Sequence, residues 1–244
     1  MKTTLLPLAL GLSAAAGAVD IGAPDLTGDA SAVMLGASYY YDESSWDTGS
    51  AHGDRILDTV KREGIMLKMA VDLHERLQVI GKIGSEDMQN DPANTDQRVS
   101  FSGDSFVGVG IKAIAYRDAG WLVGPFVQYT AYSDHTVRGT MAEGLNLKPL
   151  DVDITSLSSL EAGLAASYAM DKLGFFGGLY VYDNNAEVRG SYDGQFIRRD
   201  IEEDGSLGAW LGMNYALTSR WQTTAELHVH SGAGLALGIN YLVK

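Results

Sequence analysis

The residues of this chain that could do chemistry are histidines, carboxylates and lysines spaced two apart in extended runs. Glu226, His228 and His230 alternate, so on a strand they share one face, with Ser231 next in line. Two imidazoles and a carboxylate at that spacing can converge on one metal ion or one substrate. The spacing supplies no further ligand, so the expectation is solvated histidines, no metal and no cofactor. Asp134-His135 gives a second acid–imidazole pair at the head of a long polar segment. Asp134, His135, His228 and His230 together form a candidate rim site, with no catalytic residue assigned.

A second constellation is larger. Lys68, Asp72, Lys82, Lys112, Glu161 and Glu226 each fall on the Gly-rich parity of an alternating run, opposite its apolar parity. Three ammonium groups on consecutive runs repel where water screens them poorly. A charge removed from water needs a partner. The expectation is therefore a paired lumenal charge network that plugs a narrow interior, with at least one Lys–Glu contact. The alternative is a water-filled path whose charges select ions, the inward glycines leaving room for water.

These residues need strands to position them. Period-two runs occupy 32–41, 65–73, 77–84, 105–116, 121–132, 158–170, 173–182, 207–217, 221–230 and 234–243. Tight turns at 74–76, 117–120, 171–172 and 218–220 alternate with long Asn/Asp/Gly-rich segments. Runs of this length suit a tilted strand crossing the hydrocarbon layer, which takes roughly 9–11 residues. No charge lies on the apolar parity of any run. A lipid-facing Lys or Arg near mid-membrane costs about 2–4 kcal/mol, so that absence argues for apolar residues facing lipid. A soluble barrel has the reverse polarity. Tyr39, Tyr41, Trp121, Tyr129, Tyr168, Phe175, Tyr215, Trp221 and Tyr241 sit near run ends on the outward parity. They fit the two aromatic girdles of a membrane barrel.

Composition agrees. There is no Cys, which removes disulfides and thiol chemistry. The net charge of -13 excludes a basic face for nucleic acid. Lys2, the apolar stretch from Leu5 to Leu12 broken by Pro7, and Ala16-Gly17-Ala18 form the pattern of a signal peptide over 1–18. Cleavage there leaves a barrel over 19–244, starting near Val19. The fold class expected is all-β, a transmembrane up-and-down antiparallel barrel of about ten strands, with eight as the alternative.

The leader, the strand–turn–strand unit from Tyr215 to Trp221 and the last strand from Leu235 to Val243 resemble the small outer-membrane barrels of the OmpA-like and opacity-type superfamily. Two features depart from that pattern: ten strands rather than eight, and an aromatic at Tyr241 rather than at the end of the last strand. Ten strands with Asp134-His135 at a rim resemble, more weakly, the omptin proteases. The first resemblance implies a Gram-negative-type outer membrane, both termini in the periplasm, and membrane lipid and lipopolysaccharide as neighbours. The function expected is a structural or surface-interaction protein that meets an extracellular ligand or surface partner through acidic loops. The alternatives are a small passive channel and a surface hydrolase of omptin or lipid A deacylase type. The acidic segments, Glu86 to Asp104 and Asp200 to Asp204, are expected to be solvated surface.

Overall fold

The computed structural model describes residues 32–47, 59–91, 99–143, 146–192, 194–203 and 207–243. The signal-peptide expectation over 1–18 lies outside them. Every regular element among the described residues is a strand. In chain order these are β1 (Val33–Asp47), β2 (Thr59–His74), β3 (Leu77–Asp91), β4 (Val99–Ala113), β5 (Tyr116–Asp118), β6 (Trp121–Tyr132) and β7 (His135–Glu143). They continue with β8 (Asn146–Met170), β9 (Leu173–Tyr192), β10 (Gln195–Glu203), β11 (Leu207–Ala216), β12 (Trp221–Val229) and β13 (Ala233–Val243).

Ten of them close a barrel. The antiparallel order is β1-β2-β3-β4-β6-β8-β9-β11-β12-β13, and β13 returns to β1 from Val33↔Val243 to Glu43↔Ala233. Closure removes the free edges that lipid would leave without hydrogen bonds. The count is ten rather than eight.

Alternation sorts the side chains as the sequence implied. Leu67, Val109 and Leu211 point outward, 59%, 63% and 65% exposed, whereas Lys68, Lys82, Lys112 and Glu161 point inward and are buried. Outward aromatics pair across strands at the tight-turn end, Trp121 with Tyr168 at 4.9 Å and Trp221 with Tyr241 at 4.8 Å between ring centres. Tyr39 and Tyr129 also lie on the outward face and are exposed.

The tight turns follow their residues. Ala119 and Gly120 both take positive φ, 46° and 89°, between the paired Asp118 and Trp121. That is the pattern of a two-residue type I′ hairpin, whose twist matches the strands it joins. The run expected over 105–116 is broken. β4 stops at Ala113, the chain bends, and β5 resumes at Tyr116. The bend presses on Gly124, where an added Cβ would lie 1.7 Å from the Ala113 carbonyl oxygen.

The larger departure is at the end of the barrel opposite the tight turns. Segments expected as loops continue as strand, so that β8 has 25 residues and β9 has 20. The alternation breaks at a bulge between Thr155 and Ser158, where Ser156 takes φ 57°. Beyond it β7 pairs with β8 and lies beside β4, while β10 pairs with β9. The tip of β10 also meets β1, through Trp46↔Glu203 and Asp47↔Glu202. Since β11, β12 and β13 lie between β9 and β1 in the barrel, β10 crosses above their ends. β7 to β10 thus form a crown on one end of the barrel.

Four inward glycines seat rings. A Cβ on Gly208 would lie 2.2 Å from Tyr180, one on Gly212 2.3 Å from Phe176, one on Gly178 2.5 Å from Trp210 and one on Gly84 2.3 Å from Phe106. Each aromatic lies across the wall at a position emptied of side chain. The lumen is consequently packed with Tyr40, Phe106, Phe126, Phe176, Tyr180 and Trp210, all buried.

Candidate functional site

Polar groups cross this aromatic packing in three tiers. At the tight-turn end Gln78 donates to Asp72 at 2.8 Å. Beside them Asn240 donates to Thr224 and Thr224 to Asn214, each at 2.8 Å. Asp72, Gln78, Asn214 and Asn240 line a vestibule of about 270 Å³ that Lys172 and Arg220 also border.

The middle tier holds the charges singled out above. Lys82 Nζ donates to Gln128 at 2.7 Å, and the Gln128 amide donates in turn to Glu161. Lys82 therefore reaches Glu161 through a relay. Ser159 adds a bond to Glu161 at 3.3 Å. Lys68 stands opposite Lys82 in the β2–β3 register, and Lys112 opposite Gln78 between β3 and β4. Both are buried and engaged with other groups. Glu226 takes the other side of the lumen, 3.2 Å from His228 Nε2.

The crown tier has two centres. In one, Arg62 Nε donates to Asp42 Oδ2 at 2.9 Å, Nη2 lies 2.8 Å from the same oxygen as an ion pair, and the guanidinium lies 5.5 Å from the Tyr132 ring centre. Tyr40 donates to Glu86 at 2.6 Å, and His135 Nε2 lies 3.7 Å from the same carboxylate. In the other, the Glu203 carboxylate accepts from His230 Nδ1 at 2.7 Å, Ser231 Oγ at 2.6 Å and the Asn184 amide. The Ser231 amide donates to Tyr182 OH at 3.2 Å, and the Tyr182 ring stands edge-on to His230 at 5.2 Å.

The rim residues are thus not one site. His135 meets Glu86, His228 meets Glu226, and His230 meets Glu203, while Asp134 is exposed. Nor are the histidines solvated, because all three side chains are at most 2% exposed. Among the described residues no group of three or more His, Asp or Glu could hold a metal. Glu86 and Glu203, expected on a solvated acidic surface, are buried acceptors. Asp87 and Asp200 keep the exposed role, whereas Asp96 and Asp204 lie outside the described residues. Arg62 was missed because it lies beyond the membrane-length run of its strand. The parity of β2, extended upward from Met66 and Lys68, would have found Arg62.

On the outer side of the crown Glu187 bridges Arg189 and Arg198, which stand opposite each other across β9 and β10. Glu187 lies past the roughly 9–11 residues that a tilted strand needs to cross the membrane. Arg189, then Arg198, hold its carboxyl below the usual range. A depressed carboxyl stabilises the folded hairpin above its unfolded value and loses that contribution as pH falls through the folded one. Hydrogen exchange in β9–β10, normalised to intrinsic rates, should therefore lose protection only below about pH 4, the ordinary glutamate range. In Glu187→Gln that pH step should vanish.

No protein-family model matches the chain, and no curated protein matches it. Its fold is similar to that of the translocator domain of autotransporter NalP from Neisseria meningitidis. That likeness has a TM-score of 0.52 at 10% identity and covers 86% of this chain and 88% of that one. The outer membrane protease OmpT from Escherichia coli follows at TM-score 0.49 and 12% identity, covering 90% of this chain and 98% of that chain. An outer membrane channel from Pseudomonas putida F1 aligns at TM-score 0.48 and 16% identity, covering 93% and 100%. The structural neighbours are outer-membrane β-barrel proteins.

Proposed function

We propose that this chain is an outer-membrane anchor: a closed ten-stranded barrel that holds a β-structured crown outside the cell for contact with a surface partner. The observation that carries this reading is the filled lumen. Rings seated on glycines and three tiers of paired polar groups occupy the space a solute would need. A passive channel requires a continuous wet path. A surface hydrolase requires a base within reach of substrate, whereas His135, His228 and His230 are buried and each already faces a carboxylate. The crown offers exposed groups for recognition, among them Phe196, 77% exposed, and the Glu187–Arg189–Arg198 cluster. Lipid and lipopolysaccharide are the neighbours of the outward apolar face. With the crown outside, the tight turns and both termini fall in the periplasm.

The orientation has a direct test. A short epitope inserted after Gly194, in the β9–β10 turn, should bind antibody on intact cells that express the protein at native level. Binding only after the outer membrane is permeabilised would place the crown in the periplasm and sink the proposal.

A further inference from the structure

Among the described residues the buried polar atoms that make no hydrogen bond fall in two places: Arg62 Nη2 and Glu86 Oε1 in the Arg62–Asp42 and Tyr40–Glu86 centre, and a larger group on the opposite elements. Among the described residues Tyr180 OH, Trp210 Nε1, His228 Nδ1, His230 Nε2 and Asn184 Oδ1 are fully buried and make no hydrogen bond. All five lie on one wall, on or just above β9, β11 and β12. Trp210 and His228 are direct register partners, and Tyr180 contacts both Trp210, at 5.9 Å between rings, and Tyr182, at 5.8 Å. Tyr182 in turn stands against His230. A buried polar atom without a partner is expensive, and ordered water is its usual remedy. A site with several such atoms within reach of one another meets the requirement of two to four polar partners per water.

The histidines give the seam a direction. Each has one ring nitrogen on a carboxylate and the other on the seam: His230 through Nδ1 to Glu203, His228 through Nε2 to Glu226. An imidazole held in this way can take a proton on one nitrogen and release one from the other. The further polar groups of the lumen are the Glu161–Gln128–Lys82 chain and, separately bonded, the Gln78–Asp72 pair that opens on the vestibule.

We propose that this wall holds a file of ordered water, and that water and titratable side chains together pass protons through a barrel closed to larger ions. A hydrated proton gives up H⁺ to the seam nitrogen of His228, and the imidazolium gives the proton on its other nitrogen to Glu226. Only N–H and O–H bonds form and break: Glu226 releases the proton to the next water of the file, and the ring returns to its first tautomer by rotation. The proposal rests on the closed lumen, so its test measures protons and salt separately.

The full barrel is reconstituted in phosphatidylcholine vesicles containing a pH-reporting dye, and proton uptake is driven by a potassium diffusion potential. Uptake should exceed that of protein-free vesicles at least severalfold, while entrapped chloride stays inside. His228→Phe should return uptake to within about twofold of the protein-free rate. His135→Phe, which removes a buried histidine away from the seam, should keep it. Heat-modifiable migration confirms that each variant is folded, and His228→Gln serves if His228→Phe does not fold. Uptake equal to that of empty vesicles, or unaffected by a folded His228 variant, overturns the proton file and leaves the closed barrel standing. Chloride leaving together with protons overturns the closed barrel itself.

Discussion

Val109→Arg and Leu211→Arg should each block assembly or cut the folding equilibrium constant more than tenfold, whereas Gln78→Arg should be carried by the barrel. Val109 and Leu211 are 63% and 65% exposed on the outward face, and in a bilayer that exposure means contact with hydrocarbon. Arg near the midplane costs about 2–4 kcal/mol there. At about 1.4 kcal/mol per factor of ten, that is roughly thirty- to nearly a thousand-fold in the folding equilibrium. Gln78 points into the lumen beside Asp72, next to the vestibule, where a guanidinium finds a carboxylate and water. Urea-driven refolding into lipid vesicles, followed by the gel shift of the folded form, ranks the three. A larger loss at Gln78 than at Leu211 would mean that the two faces are inverted.

The second large effect is inside the crown. Asp42→Ala leaves the Arg62 guanidinium, 2% exposed, without the carboxylate that meets it at 2.8 Å. Stranding a buried charge typically costs about 3–5 kcal/mol. Tyr132, on whose ring the guanidinium lies, offsets only a part. Replacing both groups, Asp42→Ala with Arg62→Met, removes the stranded charge together with its partner and should recover most of the loss. The same refolding titration gives the cycle. If Asp42→Ala and the double variant are equally destabilised, the charge pair is not what holds this part of the crown.

Both predictions depend on features that differed in how legible they were in the sequence. The ten strands and their faces were legible because lipid imposes a simple rule: every second residue from Ile65 to Leu73 or from Val107 to Ala113 is apolar, and charges take the other parity. The crown was hidden because that rule stops at the membrane surface. Above it no lipid dictates one face, and the bulge at Thr155–Ser158 resets the alternation, so that Val152, Ile154 and Leu157 all point inward. Glu86 and Glu203 sit in acidic company and read as solvent-facing. What buries them is tertiary: Tyr40 and His135 close on Glu86, and β10 carries Glu203 over the short strands β11 to β13 to His230 and Ser231. The glycines misled for a related reason. A residue without a side chain leaves space, but only the cross-strand register shows that Gly208 faces Tyr180 and Gly178 faces Trp210.

The candidate residues divide along the same line. Lys82 and Glu161 were named from parity alone, and the structure joins them through Gln128, a residue that carries no charge and so drew no notice. His228 and His230 were grouped by their spacing, but on a strand neighbours two apart can face different partners. One meets Glu226 on its own strand and the other meets Glu203, 27 residues away in the sequence.

The central claim is that the lumen is closed. Purified, refolded protein inserted into a planar bilayer tests it directly, with the current recorded in concentrated potassium chloride at neutral pH. The account predicts a flat trace without unitary steps, even when gel shift and protease resistance show that the barrel has folded. Stable, reproducible conductance steps from such a folded preparation would contradict it.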